Sequence, residues 1–197
     1  MKIVIINYGA GNIQSIKFAI KRLGYDAVLS NAADEIRNAE KIIFPGVGEA
    51  SSAMKKLRES GLDKLIPTLK QPVLGICLGM QLMCKGSEEG NTKGLGIFDV
   101  DVVKFGPHTP ERSLKIPQIG WNKIYDLKGD LFQGLTEDYV YLVHSFYASL
   151  CGDTIAITDY GLPYSAALQK DNFYGTQFHP EKSGEYGSAI LENFLSV

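Results

Sequence analysis

The stretch Gly75-Ile-Cys-Leu-Gly79 places one thiol, Cys77, between two glycines, where an apolar run ends and a helical pattern begins. A strand that turns sharply into a helix can present a nucleophile at such a corner. Glycines two positions away on either side remove the side chains that would collide there. The N-terminal end of the following helix favours the nucleophilic thiolate. The backbone N–H of Leu78, which the helix leaves unpaired, can face a developing oxyanion. The plain alternative is a buried cysteine beside packing glycines, and the corner alone does not exclude it.

A thiolate that cleaves an amide needs a base, and the base needs an orienting group. The segment "TQFHPEKS" offers His179 and Glu181. Pro180 disfavours a helical conformation for His179, so His-Pro-Glu reads as extended, with residues 179 and 181 on one side. Glu181 then reaches Nδ1 of the imidazole and leaves Nε2 for the sulfur, a triad in the chain order Cys, His, Glu. Taken alone, the segment is a turn with a solvated glutamate. Joined to a corner thiol about one hundred residues upstream, the triad is the stronger reading. A second oxyanion donor is expected from "FPGVGEA", where Gly46 and Gly48 let the backbone approach a ligand and Val47 or Gly48 offers an N–H.

The elements that must position these groups are legible in the spacing. "KIVIIN" is a buried strand, and Ile13, Ile16, Ala19, Ile20 and Leu23 recur at helical spacing before a capping Gly24. "AVLS" and "KIIFP" are further strands, separated by a polar segment around Asp34–Asn38. Ala53, Met54 and Leu57 mark another helix, and "PVLGI" is the fourth strand. Strands alternating with helices imply a parallel sheet covered on both faces, with ligands beyond the carboxyl ends of its strands. From Gly94 onward "GIFDVDVVKF", "KIPQIGWNKI", "YVYLVHSFYASL", "TIAITDY", "YSAALQK" and "FYGTQF" read as mostly antiparallel strands. A final helix, Glu185 to Leu195, sets Tyr186, Ala189, Ile190 and Phe194 on one face. Gly106 to Lys115, rich in proline and charge, is expected to be a long surface loop.

The chain has 197 residues, 45% of them apolar, and a formal charge of −2. This is the composition of one soluble domain, with no electrostatic footprint for nucleic acid and no membrane anchor. Its opening apolar run is too short for a signal peptide core. Three cysteines are an odd number for a disulfide framework, and with three histidines at no zinc-type spacing the reading expects a cytoplasmic protein without metal. "NYGAGNIQS" supplies Gly9 and Gly11 for a dinucleotide loop but Gln14 at its third glycine, so that reading is rejected. Cys84, seven residues after Cys77, reads as a buried residue of the same helix. Cys151 and His108, in turn or loop surroundings, are assigned no chemistry.

The corner, "PGVGEA" and "FHPE" together resemble the class I glutamine amidotransferases, from one end of the chain to the other. "NYGAGNIQSI", "PGVGEA", "PQIGWN" and "VHSFY" resemble more narrowly the branch of glutaminase subunits that serve imidazole glycerol phosphate synthases. The resemblance implies a three-layer α/β fold with a mostly parallel central sheet and additional antiparallel strands, and no cofactor. It implies that Cys77 attacks the glutamine carboxamide, that His179 moves the proton, and that Glu181 holds the imidazole. Leu78 and the Val47–Gly48 turn would stabilise the oxyanion. Gln81, in "CLGMQ", would hold the amino-acid end of glutamine, with Ser145 a second candidate and His144 structural or at the interface rather than a second base. Ammonia would pass to a (β/α)8-barrel synthase subunit, with Asn12, Trp121 and Lys182 on the partner face, although an isolated tryptophan is by default a core residue. Two rivals remain at this stage. One is a paralogous subunit feeding another synthase, such as one acting on surface sugars. The other is a redox-sensing module, which would have no need of His179 and Glu181.

Overall fold

The computed structural model describes residues 1–106 and 114–197. Most of the expected loop Gly106–Lys115, with His108, lies outside the described residues. The strands are β1 (Ile3–Ile6), β2 (Ala27–Ser30), β3 (Lys41–Gly46), β4 (Val73–Cys77), β5 (Cys84–Ser87), β6 (Thr92–Lys93), β7 (Phe98–Lys104), β8 (Gln118–Tyr125), β9 (Tyr139–His144), β10 (Phe146–Ala148), β11 (Thr154–Asp159), β12 (Pro163–Lys170) and β13 (Phe173–Thr176). The helices are α1 (Ile13–Arg22), α2 (Ala33–Arg37), α3 (Ala50–Glu59), α4 (Leu62–Leu65), α5 (Leu78–Met83) and α6 (Gly184–Ser196). Among the described residues, no helix is long and apolar enough to cross a membrane.

One sheet runs in the order β2-β1-β3-β4-β13-β12-β11-β8-β9. Its pairings are parallel from β2 to β13 and antiparallel from β13 to β9. Much of the antiparallel half therefore continues the parallel sheet, while β10, β7, β5 and β6 form a second, smaller one. Alternation along β1 shows how both faces of the large sheet are filled. Val4 and Ile6 join the core under α3 and α4, whereas Ile3 and Ile5 join the core under α1 and α6.

Several local readings need correction. The polar segment at residues 34–38 contains the short helix α2, held by one buried side chain, Ile36. The helix α4, which carries too few residues to show a period, was not expected at all. The helix after Cys77 is only six residues long, so Cys84 lies outside it and opens β5, although it is fully buried. "YVYLVHSFYASL" divides at Ser145 into β9 and β10, which belong to different sheets. No glycine or proline marks that break in the sequence. In α6 the buried stripe is Gly187, Ile190, Leu191, Phe194 and Leu195, with Tyr186 and Ala189 at its margin.

The site depends most on how closely α5 lies against β3 and β4. A Cβ on Gly79 would sit 1.9 Å from the Phe44 carbonyl oxygen, and one on Gly75 would sit 2.8 Å from the Met80 nitrogen. Gly24 is a contrast: its φ is +87° but nothing lies within 4 Å of an added Cβ. Gly79→Ala is therefore expected to cost about 3 kcal/mol or more in urea unfolding, because backbone must move. Gly24→Ala is expected to cost about 1 kcal/mol, from its left-handed conformation alone. Equal losses would contradict this packing.

Candidate active site

Cys77 ends β4 and caps α5 with φ 53° and ψ −112°. A non-glycine residue there carries strain of about 1–3 kcal/mol and persists only where its surroundings impose it. The expected corner is present. Because α5 is only six residues long, what it can offer beside Cys77 is the N–H of Leu78 rather than the dipole of a long helix.

His179 reaches Cys77 through sheet order. β13 lies parallel to β4, with Gly175 opposite Gly75 and Thr176 opposite Ile76, and the chain leaving β13 passes the same sheet end as Cys77. His179 itself is extended, but Pro180–Lys182 forms a single 3-10 turn rather than the extended His-Pro-Glu expected from the sequence. Proline keeps the residue before it extended and is itself well suited to open a helical turn. Glu181 still meets the ring, with Oε1 2.8 Å from Nδ1 and both side chains buried. The turn is fastened by Ser183, whose hydroxyl donates to the His179 carbonyl at 2.7 Å and accepts the Tyr141 N–H at 3.0 Å.

Nδ1 is held by Glu181, and the buried Nε2 has no regular hydrogen bond. Burial by itself would lower the proton affinity of the ring. Hydrogen bonding and charge at Cys77 and Glu181 outweigh it, and the pKa is pushed up to about 10. An imidazole so placed can exchange a proton with the sulfur and then with a leaving nitrogen.

Cys77 and His179 open on one cavity of about 300 Å3, to which Val47, Gly48, Leu78, Gln81 and Ser145 also contribute. Gln81 spends its amide nitrogen on the Phe146 carbonyl at 2.8 Å and on Gln177 Oε1 at 2.9 Å. Its amide oxygen is the group it can offer a ligand. His144 also lines the cavity, but burial pushes its pKa down to about 4 while Nδ1 lies 2.7 Å from the Phe146 carbonyl. It is thus a neutral, internally bonded ring. Asn12 precedes the first residue of α1 without a side-chain capping hydrogen bond, and α1 packs against the Pro180–Lys182 turn. Trp121 is 56% exposed on β8, against the default of a core tryptophan, and its ring meets Tyr141 edge-on at 6.2 Å. Lys182 Nζ lies 5.7 Å above the same Tyr141 ring, so these two residues share one face.

Two residues escaped the sequence reading. Glu89 lines the cavity with its carboxylate half-buried, and desolvation raises its pKa although its Oε2 accepts the Ala50 N–H at 2.8 Å. In "GSEEGN" nothing distinguishes it from its neighbours. Gln177, fully buried, points its amide nitrogen at Cys77 Sγ from 3.8 Å. Its position two residues before His179, on the same side of an extended segment, was the available signal.

Comparison with known proteins shows the family of the chain. A family model described as "Glutamine amidotransferase class-I" matches residues 4–197. The chain is 57% identical over 198 residues to "Imidazole glycerol phosphate synthase subunit HisH" of Bacteroides fragilis, covering all of both chains. It is 47% identical over 200 residues to the protein of the same name from Escherichia coli K12, again over the whole of both. A solved glutamine amidotransferase, 18% identical, superposes with a TM-score of 0.75 over 98% of this chain and 97% of that one, which bears on the fold alone.

Because its folded pKa lies above the ordinary value of about 6.5, His179 keeps its proton through neutrality. The stability this gives is complete below about pH 6.5 and is lost as pH rises through about 10. In a proton NMR titration the ring of His179 is expected to stay protonated from about pH 6 to about pH 8.5. Cys77→Ala and Glu181→Gln should each move its midpoint downward, while His144 stays neutral across that range. A His179 midpoint near its ordinary value in the unaltered protein would contradict the coupling.

Proposed function

We infer that this chain, which belongs to the class I glutamine amidotransferase family, is the glutaminase subunit of an imidazole glycerol phosphate synthase. The observation that carries the reading is the convergence of Cys77 and His179 on one small cavity, with Glu181 bonded to the imidazole from behind, in a chain alike from end to end to proteins of that name. The whole of residues 1–197 is taken as one glutaminase domain, working in the cytoplasm.

Glutamine enters with its carboxamide beside Cys77. The sulfur attacks the amide carbon, and the negative oxygen that forms is met by the N–H of Leu78 and by one from the Val47–Gly48 turn. His179 gives its proton to the nitrogen, ammonia leaves, and a glutamyl thioester remains on Cys77. His179 then takes a proton from water, whose oxygen attacks the thioester carbon. Collapse releases glutamate and returns the sulfur to its first state. Glu181 keeps the ring aligned in both half-reactions. Glu89 and the free oxygen of Gln81 suit the α-ammonium of glutamine, one by charge and one as an acceptor, with Ser145 across the cavity.

Ammonia set free in neutral water would become ammonium and lose its nucleophilicity, so a sealed path to a partner is needed. The partner is a (β/α)8-barrel subunit that uses ammonia to make imidazole glycerol phosphate and aminoimidazole carboxamide ribotide, in histidine biosynthesis. Its docking face includes Asn12, Trp121 and Lys182, and exposed Ile119 and Tyr139 add apolar surface beside Trp121.

Co-expression with the barrel subunit and its ribonucleotide substrate should give glutamine-dependent turnover, with little glutaminase activity from this chain alone. Turnover only with a different synthase would assign the chain to a paralogous system. Cys77→Ala should abolish glutamine hydrolysis yet still copurify with the barrel. Undiminished hydrolysis would remove Cys77 from the mechanism. Glu89→Gln should raise KM for glutamine by about 10- to 100-fold, the value of a charge-assisted hydrogen bond, with kcat little changed.

A further inference from the structure

β1 and β3 run side by side through the pairs Ile3–Lys41, Val4–Ile42 and Ile5–Ile43, but β1 ends at Ile6 while β3 continues to Gly46. Backbone groups of β3 face its two neighbours in alternation. The Lys41 N–H donates to Lys2 on the β1 side, and the Ile42 N–H donates to Pro72 on the β4 side. Residue 45 therefore faces the β1 side, at a level where β1 has already ended. Pro45 has no N–H to pair there, only a carbonyl.

That carbonyl is not left bare. The Tyr8 hydroxyl donates to Pro45 O at 2.7 Å in a buried contact, two residues beyond the end of β1. The Tyr8 ring is tilted against Phe44 with centroids 5.5 Å apart. Burial, and secondarily the charge of Cys77, raises the Tyr8 pKa well above the ordinary phenol value, so the hydroxyl remains a donor at every working pH. On the other flank a Cβ at Gly11 would lie 2.8 Å from Pro45 Cβ, so the loop after β1 also rests on the proline ring.

Downstream the constraint changes abruptly. Gly46 is opposite Cys77, and a Cβ there would lie 2.4 Å from the Gly79 nitrogen. Val47 is then 42% exposed, and Gly48, at φ +94°, has nothing within 4 Å of an added Cβ. The backbone is gripped up to Gly46 and open beyond it.

We propose that Tyr8 is a positioning residue for the oxyanion donors: its hydroxyl pins the Pro45–Gly46 peptide, so that only the Gly46–Val47 and Val47–Gly48 peptides turn when an N–H is brought to the cavity. The proposal rests on the reading above in which that turn supplies a donor. A hinge with one fixed side delivers the donor to one place, whereas a hinge loose on both sides delivers it to several. Donor placement matters where charge develops, in the transition state, and much less for holding glutamine.

The test compares Tyr8→Phe with Gly48→Ala in the complex with the co-expressed barrel subunit, measuring glutamine kcat and KM and the rate of Cys77 alkylation by iodoacetamide. Tyr8→Phe keeps the ring and removes only the anchoring hydroxyl. It is expected to lower kcat about tenfold, with KM within about twofold and alkylation unchanged. Gly48→Ala meets no neighbour but disfavours the present turn, so it should also change kcat. Unchanged kcat in Tyr8→Phe alone would overturn the proposal while leaving the donor turn intact. Unchanged kcat in Gly48→Ala would remove the donor turn and the proposal with it, whatever Tyr8→Phe does. A parallel loss of kcat, KM and alkylation in Tyr8→Phe would show general distortion of the site, and would overturn positioning as well.

Discussion

Between the first turn of α5 and the ends of β3 and β4 there is no room for a methyl group at Gly46, Gly75 or Gly79. That contact makes the chain leave β4 sharply enough to force Cys77 to φ 53°. An unfavourable conformation of about 1–3 kcal/mol survives because the sheet below and the helix above are both already buried and cannot relax toward each other. The same contact brings Gly46 and Leu78 together, and so places both candidate oxyanion donors beside the sulfur. Strain and donor geometry have one cause.

The polar groups behind the cavity are paired in a chain rather than one by one. Gln81 donates to Phe146 and to Gln177, and Gln177 has its nitrogen left for Cys77. Fixing one amide fixes the orientation of the next, since each has a single oxygen and a single NH2 group. The pocket proposed for the amino-acid end of glutamine is thereby tied to Cys77. His179 is fixed from the opposite side, through Glu181 and Ser183. Two independent supports meet at one sulfur, which suits a reaction that needs reacting atoms held within a few tenths of an ångström.

The legible part of this arrangement was local. Glycines around Cys77, proline after His179 and strand–helix alternation in the first 80 residues each act over a few residues, and each was readable. Sheet order was not. Nothing near Phe173–Thr176 says that this late strand slots beside β4, yet that pairing is what brings residue 179 to residue 77. The 3-10 turn at Pro180 was missed because proline restricts the residue before it and opens a helical turn after it, and only the first effect was weighed. The break at Ser145 had no glycine or proline to mark it; it arises because His144 and Phe146 belong to different sheets. Glu89 and Tyr8 act by reaching across space from ordinary surroundings, which composition and period do not record.

The central claim is that the sulfur of Cys77, and no other nucleophile, carries the glutamyl group between two half-reactions. Rapid acid quenching during glutamine turnover, followed by peptide mass spectrometry, tests it directly. The account predicts a glutamyl adduct confined to the peptide that contains Cys77 and lost when hydroxylamine cleaves thioesters. An adduct on Cys84 or Cys151, or turnover that proceeds at full rate with no adduct on any thiol, would contradict it.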